Sequence, residues 1–243
     1  LGVVSSEMCT RCGIGTISLF DFDKVDVVNL NRMMFRSEHI GQPKVEIAAQ
    51  ILRKINPDVS LKCFNNDIMD PEFENTFNQQ LREIDIILTG LDNIPAREYL
   101  NTKCITSKVP YIDAGASRSG LSGYVHPIIP YNTACSKCLS SISIDLPDER
   151  GEPCIASLPS TMAILASIQV QEMLKNLLKF GEMIDYLVYN MVKGHFLEYK
   201  TKRDLDCPIC GSRTKATENK KMESKISEKE LDNYIKDMEK DES

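Results

Sequence analysis

The sequence predicts an α/β protein of the Rossmann-like, doubly wound class, with a mostly parallel sheet and a zinc-clipped C-terminal part. Short apolar strands alternate with amphipathic helices through residues 3–114, the order that parallel strands joined by helical crossovers produce. The apolar run at residues 84–88 predicts a central strand covered on both faces. Polar residues follow the strand ends, where sheets of this class bind ligands.

The spacing of apolar residues predicts the type of each helix or strand, and turn-forming residues predict where it ends. Gly13 closes the first helix, and Asn56-Pro57-Asp58 ends the second, whose apolar residues recur at helical spacing. The predicted order is helix 3–12, strand 16–20, helix 44–55, strand 59–64, helix 71–81, strand 84–88, helix 95–107 and strand 109–114.

The pattern changes after Gly115. We predict a strand at 121–129, a polar loop at 140–153, a long helix at 159–180 and a hairpin at 187–192 and 195–201. Residues 1–212 therefore form one predicted domain. Residues 213–243 are charged and mostly solvated, although Ser227 and Glu230 form a capping box before a helical apolar stripe that could bind a partner.

Composition narrows the function classes. The chain has 243 residues and a net charge of −6, which argues against nucleic-acid binding because phosphate contacts need a basic surface. It contains nine cysteines, an odd count that includes the C-x-x-C pairs Cys135–Cys138 and Cys207–Cys210, and we expect neither a signal peptide nor a transmembrane span. These features predict a cytoplasmic protein with reduced cysteines and no membrane contact. A nuclear location is the alternative.

Several polar residues are candidates for a nucleotide site at the carboxyl ends of the strands. Asp21 lies roughly 20 residues after Gly2, the spacing at which an acid binds ribose in this architecture. Gly2 precedes a helix whose free N–H groups attract phosphate. Asp92, followed by Asn93, could hold Mg²⁺. Each signal is weak alone, since an acid at a strand end is more often a helix cap.

Longer stretches make the assignment specific. DFDKVDVVNLNRMMFRSEHIGQPKVEIAAQILRKINPDV, CTRCGIG, LDNIPAR and CIASLPSTM resemble the adenylation domain of ubiquitin-activating-type (ThiF/MoeB-like) enzymes over roughly residues 1–212. The resemblance implies ATP and Mg²⁺ bound by Gly2, Asp21, Asn29, Arg32, Lys44, Asp67, Asp92 and Asn93, the role of Asp67 being the least defined. One departure from the family is serious: only the last glycine of the phosphate-binding loop, Gly2, is present, without the first strand.

Two cysteine pairs predict a structural zinc site. Each C-x-x-C places two thiolates on one tight turn, and two such turns complete a closed tetrahedron that has no open position for catalysis. A redox pair and unrelated buried thiols are the alternative readings. The predicted Zn²⁺ ligands are Cys135, Cys138, Cys207 and Cys210.

Cys154 is the predicted nucleophile. It lies between a polar loop and the long helix at 159–180, whose N-terminal dipole favours a thiolate. Cys9, Cys12, Cys63 and Cys104 lie in apolar surroundings and are predicted to be core thiols. The resemblance implies that Cys154 forms a thioester within the adenylation domain, with Arg32 and Asp92 acting in the adenylation step.

The resemblance implies an ATP-dependent activating enzyme that works as a homodimer. Its substrate would be a ubiquitin-like modifier, ubiquitin-fold modifier 1 being the expected one, and a conjugating enzyme would receive the thioester. Two alternatives stay open: an adenylyltransferase for sulfur-carrier proteins of molybdopterin or thiamine synthesis, which needs no thioester at Cys154, and a non-catalytic scaffold with this fold. A nicotinamide dehydrogenase has no use for Arg32, Lys44 or the four cysteines.

Overall fold

The computed structural model describes residues 1–117, 120–139 and 158–211, and it confirms the α/β class. The helices of these residues are α1 Gly2–Arg11, α2 Lys44–Ile55, α3 Glu74–Leu81, α4 Ile94–Ser107, α5 Ser136–Leu139 and α6 Pro159–Leu178. The strands are β1 Thr16–Phe20, β2 Ser60–Phe64, β3 Ile87–Leu88, β4 Tyr111–Ala116, β5 Ser122–Ile128, β6 Tyr186–Asn190 and β7 His195–Tyr199.

Two strand pairs are parallel, and each is joined by a helical crossover. β1 pairs with β2 across α2, and β3 pairs with β4 across α4. From β4 onward the described strands follow the order β4-β5-β6-β7 and every pairing is antiparallel. The prediction of a mostly parallel sheet therefore overstates the proportion of strand pairs that are parallel. The β4–β5 and β6–β7 connections are too short for a crossover, so these strands must run antiparallel.

β3 is shorter than the predicted strand at 84–88. Its ladder joins only Ile87 to Tyr111 and Leu88 to Ile112. The neighbouring strand begins after Pro110, which has no N–H to extend the ladder. The expectation of a fully apolar strand is also wrong, because the run contains Asp85, which is exposed to solvent.

Helices cover both faces of the sheet, as the alternation predicts. On one face, α3 and α4 bury Phe77 and Ile105 against Tyr111. On the other, α6 buries Leu165 against Ile112 and Val125. Tyr111 and Ile112 contact different faces because successive side chains of a strand alternate in direction. The described strands form two sheets, β1-β2 and β3-β4-β5-β6-β7, and these two helical layers cover the five-stranded one.

The predicted ends of the long elements are largely confirmed. α1 stops before Gly13, which has a φ of +75° that glycine adopts without strain. α6 begins at Pro159, as expected, and ends at Leu178 before Lys179 in a left-handed conformation. The tail prediction for 213–243 lies outside the described residues. Among the described helices, none is long and apolar enough to cross a bilayer.

Gly123 is the position at which strand packing leaves least room. A Cβ there would lie 2.3 Å from Leu165 Cδ1 and 2.5 Å from the Gly115 carbonyl oxygen. We expect Gly123→Ala to lower the free energy of unfolding by about 1–3 kcal/mol, the usual cost of overpacking a core. Urea denaturation followed by circular dichroism measures this change.

Gly15→Ala is the matched control for this substitution. A Cβ at Gly15 would meet no heavy atom within 4 Å, so the change should stay within about 0.5 kcal/mol. Equal free energies of unfolding for the two variants would contradict the packing described for β4, β5 and α6.

Candidate nucleotide and metal sites

Asp21, Asp23 and Lys44 meet at the carboxyl end of β1. The Asp21 N–H donates to the Phe64 carbonyl and extends the β1–β2 ladder by one residue. Asp21 Oδ1 accepts the Asp23 N–H at 2.9 Å. Lys44 Nζ lies 2.5 Å from Asp23 Oδ2, and only 8% of the lysine side chain is exposed. A nearly buried cation thus sits beside two carboxylates at the ligand-binding edge.

The connection between β1 and α2 folds back to bring Lys44 there. Lys24 and Pro43 form an antiparallel bridge, and the Val25 N–H donates to the Gln42 carbonyl at 2.8 Å. The Lys44 N–H donates to the Asp23 carbonyl at 2.9 Å. Lysine is unfavourable in the first turn of a helix because the dipole is positive there. Its ion pair with Asp23 offsets that cost.

The Asp21 carboxyl is held in a mixed environment. Burial raises its pKa above the ordinary value, while the Asp23 N–H and the positive charges of Lys44 and Arg32 act in the opposite direction. Asp21, Arg32 and Lys44 were predicted separately from the sequence, and the structure brings them together. Asp23 was not singled out, although the D-x-D spacing was its signal.

Two predicted ligands have clear structural roles as helix caps. Asn29 Oδ1 accepts the Asp26 N–H in a capping box, and Asn29 is only 5% exposed. Asn93 is the N-cap of α4, where its Oδ1 accepts the Ala96 N–H at 2.9 Å. Asp67 Oδ1 accepts the Met69 N–H in the turn after β2. Their contacts with a nucleotide remain predictions.

The N-terminus of α1 lies against the loop that follows β3. A Cβ on Gly90 would lie 3.0 Å from the Gly2 nitrogen, so the two backbones are in direct contact. The loop continues to Asp92, which is exposed and accepts the Asn93 side-chain amide at 3.3 Å. Val3 packs against Phe35 of the β1–α2 connection. The helix start therefore borders both groups of predicted nucleotide ligands.

A buried polar network beneath this loop was missed by the sequence reasoning. Arg97 Nη1 donates to Asp113 Oδ1 at 2.5 Å and to the Tyr124 hydroxyl at 2.9 Å. Thr89 Oγ1 donates to Asp113 Oδ1 at 2.6 Å, and Arg97 Nη2 donates to the Leu91 carbonyl. The network holds residues 89–91 in place. Its sequence signal was an acid inside an apolar strand.

Tyr124 completes the network as a donor. Burial and the nearby Asp113 carboxylate raise the pKa of Tyr124 well above its ordinary value. The phenol is therefore protonated and donates to Asp113 Oδ2 at 2.8 Å. A buried ion pair needs this kind of hydrogen-bond satisfaction, since desolvation otherwise exceeds the Coulombic gain.

The four predicted metal ligands converge. Zn–S bonds of about 2.3 Å in a tetrahedron place sulfur atoms about 3.8 Å apart. The observed Sγ separations are 3.8 Å for Cys135–Cys138, 3.8 Å for Cys135–Cys207 and 3.4 Å for Cys138–Cys210. All four are buried, and their Sγ atoms lie within 4.8 Å of one another. Four thiolates in this arrangement fit a structural Zn²⁺.

The other described cysteines differ in how far their side chains are exposed to solvent. Cys9 and Cys104 are buried, and desolvation raises the pKa of each to about 12, which agrees with inert core thiols. Cys63 is partly buried. Cys12 is exposed, so its assignment as a core thiol is wrong, because it follows the last turn of α1. Cys154 lies outside the described residues.

The described residues form an α/β domain with polar residues at the carboxyl ends of its strands and an added cysteine cluster. A family model agrees with this fold class: the ThiF family matches residues 1–209, and the chain belongs to that family. Among solved structures, a crystal structure of Escherichia coli MccB with ATP has a TM-score of 0.71 and 23% identity. It covers 86% of this chain and 63% of that chain, and supports the fold alone.

Curated relatives called ubiquitin-like modifier-activating enzyme 5 are similar over most of the chain. The protein of Oryza sativa subsp. japonica is 35% identical over 231 residues, covering 88% of this chain and 55% of the relative. That of Drosophila virilis is 38% identical over 220 residues, with 85% and 55% covered. That of Rattus norvegicus is 36% identical over 234 residues, with 91% and 58% covered. The chain thus spans little more than half of each relative.

We expect elemental analysis of the purified protein to find one zinc per chain. Chelation should lower the melting temperature, because the free energy of binding a structural metal adds to the free energy of folding. Cys207→Ser should lose the metal, whereas Cys12→Ser removes an exposed thiol outside the cluster and should retain it. A metal-free protein with unchanged stability would refute the four-cysteine assignment.

Proposed function

We propose that the protein activates a ubiquitin-like modifier in two steps and passes it to a conjugating enzyme. The modifier's C-terminal carboxylate attacks the α-phosphorus of ATP, giving an acyl adenylate and pyrophosphate. The Cys154 thiolate then attacks the acyl carbon, forming a thioester and releasing AMP. Membership of the ThiF family and the names of the relatives support this proposal.

The observation that carries the proposal is the grouping of polar and charged groups at the carboxyl ends of β1 and β3, strands of the two described sheets. Asp21, Lys44 and Arg32 lie on one side, and Gly2 with the Asp92 loop lies on the other. A nucleoside triphosphate needs groups that accept hydrogen bonds from its ribose hydroxyls and positive charge near its phosphates. Asp21 provides the acceptor, and Lys44 and Arg32 provide the positive charge.

Each side has a separate task in the adenylation step. We expect the Asp21 carboxylate to accept ribose hydroxyls. Lys44 and Arg32 offset phosphate charge as it develops, and α1 adds free N–H groups at Gly2. ATP supplies the adenylyl group, and Mg²⁺ neutralises phosphate charge when bound. Asp92 is exposed and is the carboxylate in this loop that could hold that ion.

The finer assignments belong to the same proposal. Ubiquitin-fold modifier 1 is the proposed substrate on the strength of the sequence resemblance, and a homodimer in the cytoplasm is the proposed form. Asn29, Asp67 and Asn93 are proposed to line the nucleotide pocket while keeping their capping and turn contacts.

Asp92→Ala and Lys44→Ala should each reduce ATP–pyrophosphate exchange by about 10²–10³-fold, because each removes charge that acts on the phosphates. Exchange measured with the full-length protein, ATP and the modifier tests this. Asp92 is exposed, so its substitution should not affect folding. Lys62→Ala is the control, since Lys62 pairs with Glu83 on the surface of β2, and near-normal exchange is expected. Activity retained in Asp92→Ala would remove that residue from the site.

Cys154→Ala should abolish the thiol-sensitive modifier adduct and leave pyrophosphate exchange intact, because the thiol acts only after adenylation. A non-reducing gel after incubation with ATP and modifier shows the adduct. Cys12→Ala, which removes an exposed thiol, should keep the adduct. An adduct that persists in Cys154→Ala places the nucleophile elsewhere. Exchange without any adduct in the wild type would favour the sulfur-carrier alternative.

A further inference from the structure

Gln169 makes three long-range hydrogen bonds from the middle of α6. Its Oε1 accepts the Ser5 hydroxyl of α1 at 2.7 Å. Its Nε2 donates to the Thr89 carbonyl at 2.9 Å and to the Ile112 carbonyl at 2.8 Å. The side chain is fully buried, and both of its amide atoms have partners. One side chain therefore joins α1, the end of β3 and β4.

Packing alone does not explain a glutamine at this position. Leu165, Ala166, Val170 and Met173 of α6 are buried and apolar, whereas Thr161 and Glu172 of the same helix are buried and polar. A buried amide is costly unless its hydrogen bonds are made, and an apolar side chain would fill the same space without that cost. The polarity of Gln169 therefore serves its three partners, one of which is the carbonyl of Thr89, directly after β3.

Two of the partners of Gln169, Ser5 and Thr89, lie near the contact between the backbones of Gly2 and Gly90. Ser5 closes the first turn of α1, which begins at Gly2. Thr89 directly precedes Gly90, whose Cα lies against the Gly2 backbone. Gln169 thus holds the two segments on either side of that contact, and it does so from beneath the site.

We infer that Gln169 is a positioning residue for the nucleotide site and acts through Ser5 and Thr89. It fixes the free N–H groups at the start of α1 relative to the loop that carries Asp92, so that both face the same phosphates. The inference rests on the proposed function, since it assigns Gln169 a part in binding ATP. Small displacements of such groups weaken binding because the N–H donors no longer converge on the ligand.

Ser5→Ala tests the α1 side of this arrangement with little risk to folding. It deletes one hydroxyl, and we expect the dissociation constant for ATP in the presence of Mg²⁺ to rise about threefold to tenfold. Ser6→Ala is the matched control. Ser6 is also buried in α1, but its hydroxyl donates at 2.9 Å to the Val3 carbonyl of the same helix. Its ATP affinity should stay within about twofold of wild type.

Gln169→Leu tests the centre of the arrangement, with Glu172→Gln as the control on the same helix. Glu172 is buried but contacts Lys175 and the Ile184 N–H, away from α1 and β3. Gln169→Leu should weaken ATP binding at least as much as Ser5→Ala. The double variant Ser5→Ala/Gln169→Leu should bind ATP with the same affinity as Gln169→Leu alone. Melting temperatures measured for all variants separate lost positioning from lost stability.

Isothermal titration calorimetry on the full-length protein decides between the outcomes. Weaker ATP binding in Ser5→Ala than in Ser6→Ala, with non-additivity in the double variant, supports the inference. Equal affinities for Ser5→Ala and Ser6→Ala, or additive effects of Ser5→Ala and Gln169→Leu, overturn it. The Ser5 and Ser6 pair decides the matter if Gln169→Leu fails to fold. A wild-type protein that binds no ATP would instead refute the proposed function.

Discussion

The buried ion pair between Arg97 and Asp113 fixes the carboxyl edge of the sheet on which the candidate site depends. Asp113 lies in the middle of β4 and is 5% exposed, so its charge must be matched within the protein. Arg97, together with the hydroxyl groups of Thr89 and Tyr124, provides that match. Because Arg97 also donates to the Leu91 carbonyl, the position of the Asp92 loop follows from the burial of one carboxylate.

This arrangement explains why position 115 is a glycine. A Cβ there would lie 2.8 Å from a Tyr124 ring carbon and 3.1 Å from Arg97 Nη2. The space beside β4 is taken by the two side chains that satisfy Asp113. Removing Arg97 would leave the buried carboxylate without its counter-ion, which costs more than the pair contributes. The network therefore tolerates little change in shape or charge.

The sequence predicted the elements well and the long-range polar contacts poorly. Asp21 and Lys44 could be found because each follows or begins an element with clear periodicity. Arg97 and Gln169 could not, since each lies on a helix where a polar residue usually faces solvent, and their partners are distant in sequence. For Asn29 and Asn93 the opposite holds. Their capping contacts are local and could be predicted from the sequence, but the family resemblance predicted nucleotide binding for both residues instead.

Antiparallel pairing was the other point at which the sequence was insufficient. Residues 121–129 give an apolar strand pattern that fits either direction, and direction follows from the length of the connection to β4. β3 depended similarly on a neighbour, because Pro110 limits its ladder to two residues. Periodicity determines which residues face the core, whereas pairing depends on where the adjacent strand begins.

The cysteine cluster supports the same edge from a distance. Cys135 and Cys138 belong to the core cluster that contains Leu100 and Ile105 of α4, the helix that carries Arg97. Lys137 of α5 adds an ion pair to Glu98 of α4 at 3.1 Å, although its exposure makes the stabilisation small. A metal bound by the four thiolates would hold Cys207 and Cys210 against this cluster and stabilise the packing under α4. The four cysteines and the buried face of α4, the helix that carries Arg97, thus share one hydrophobic core.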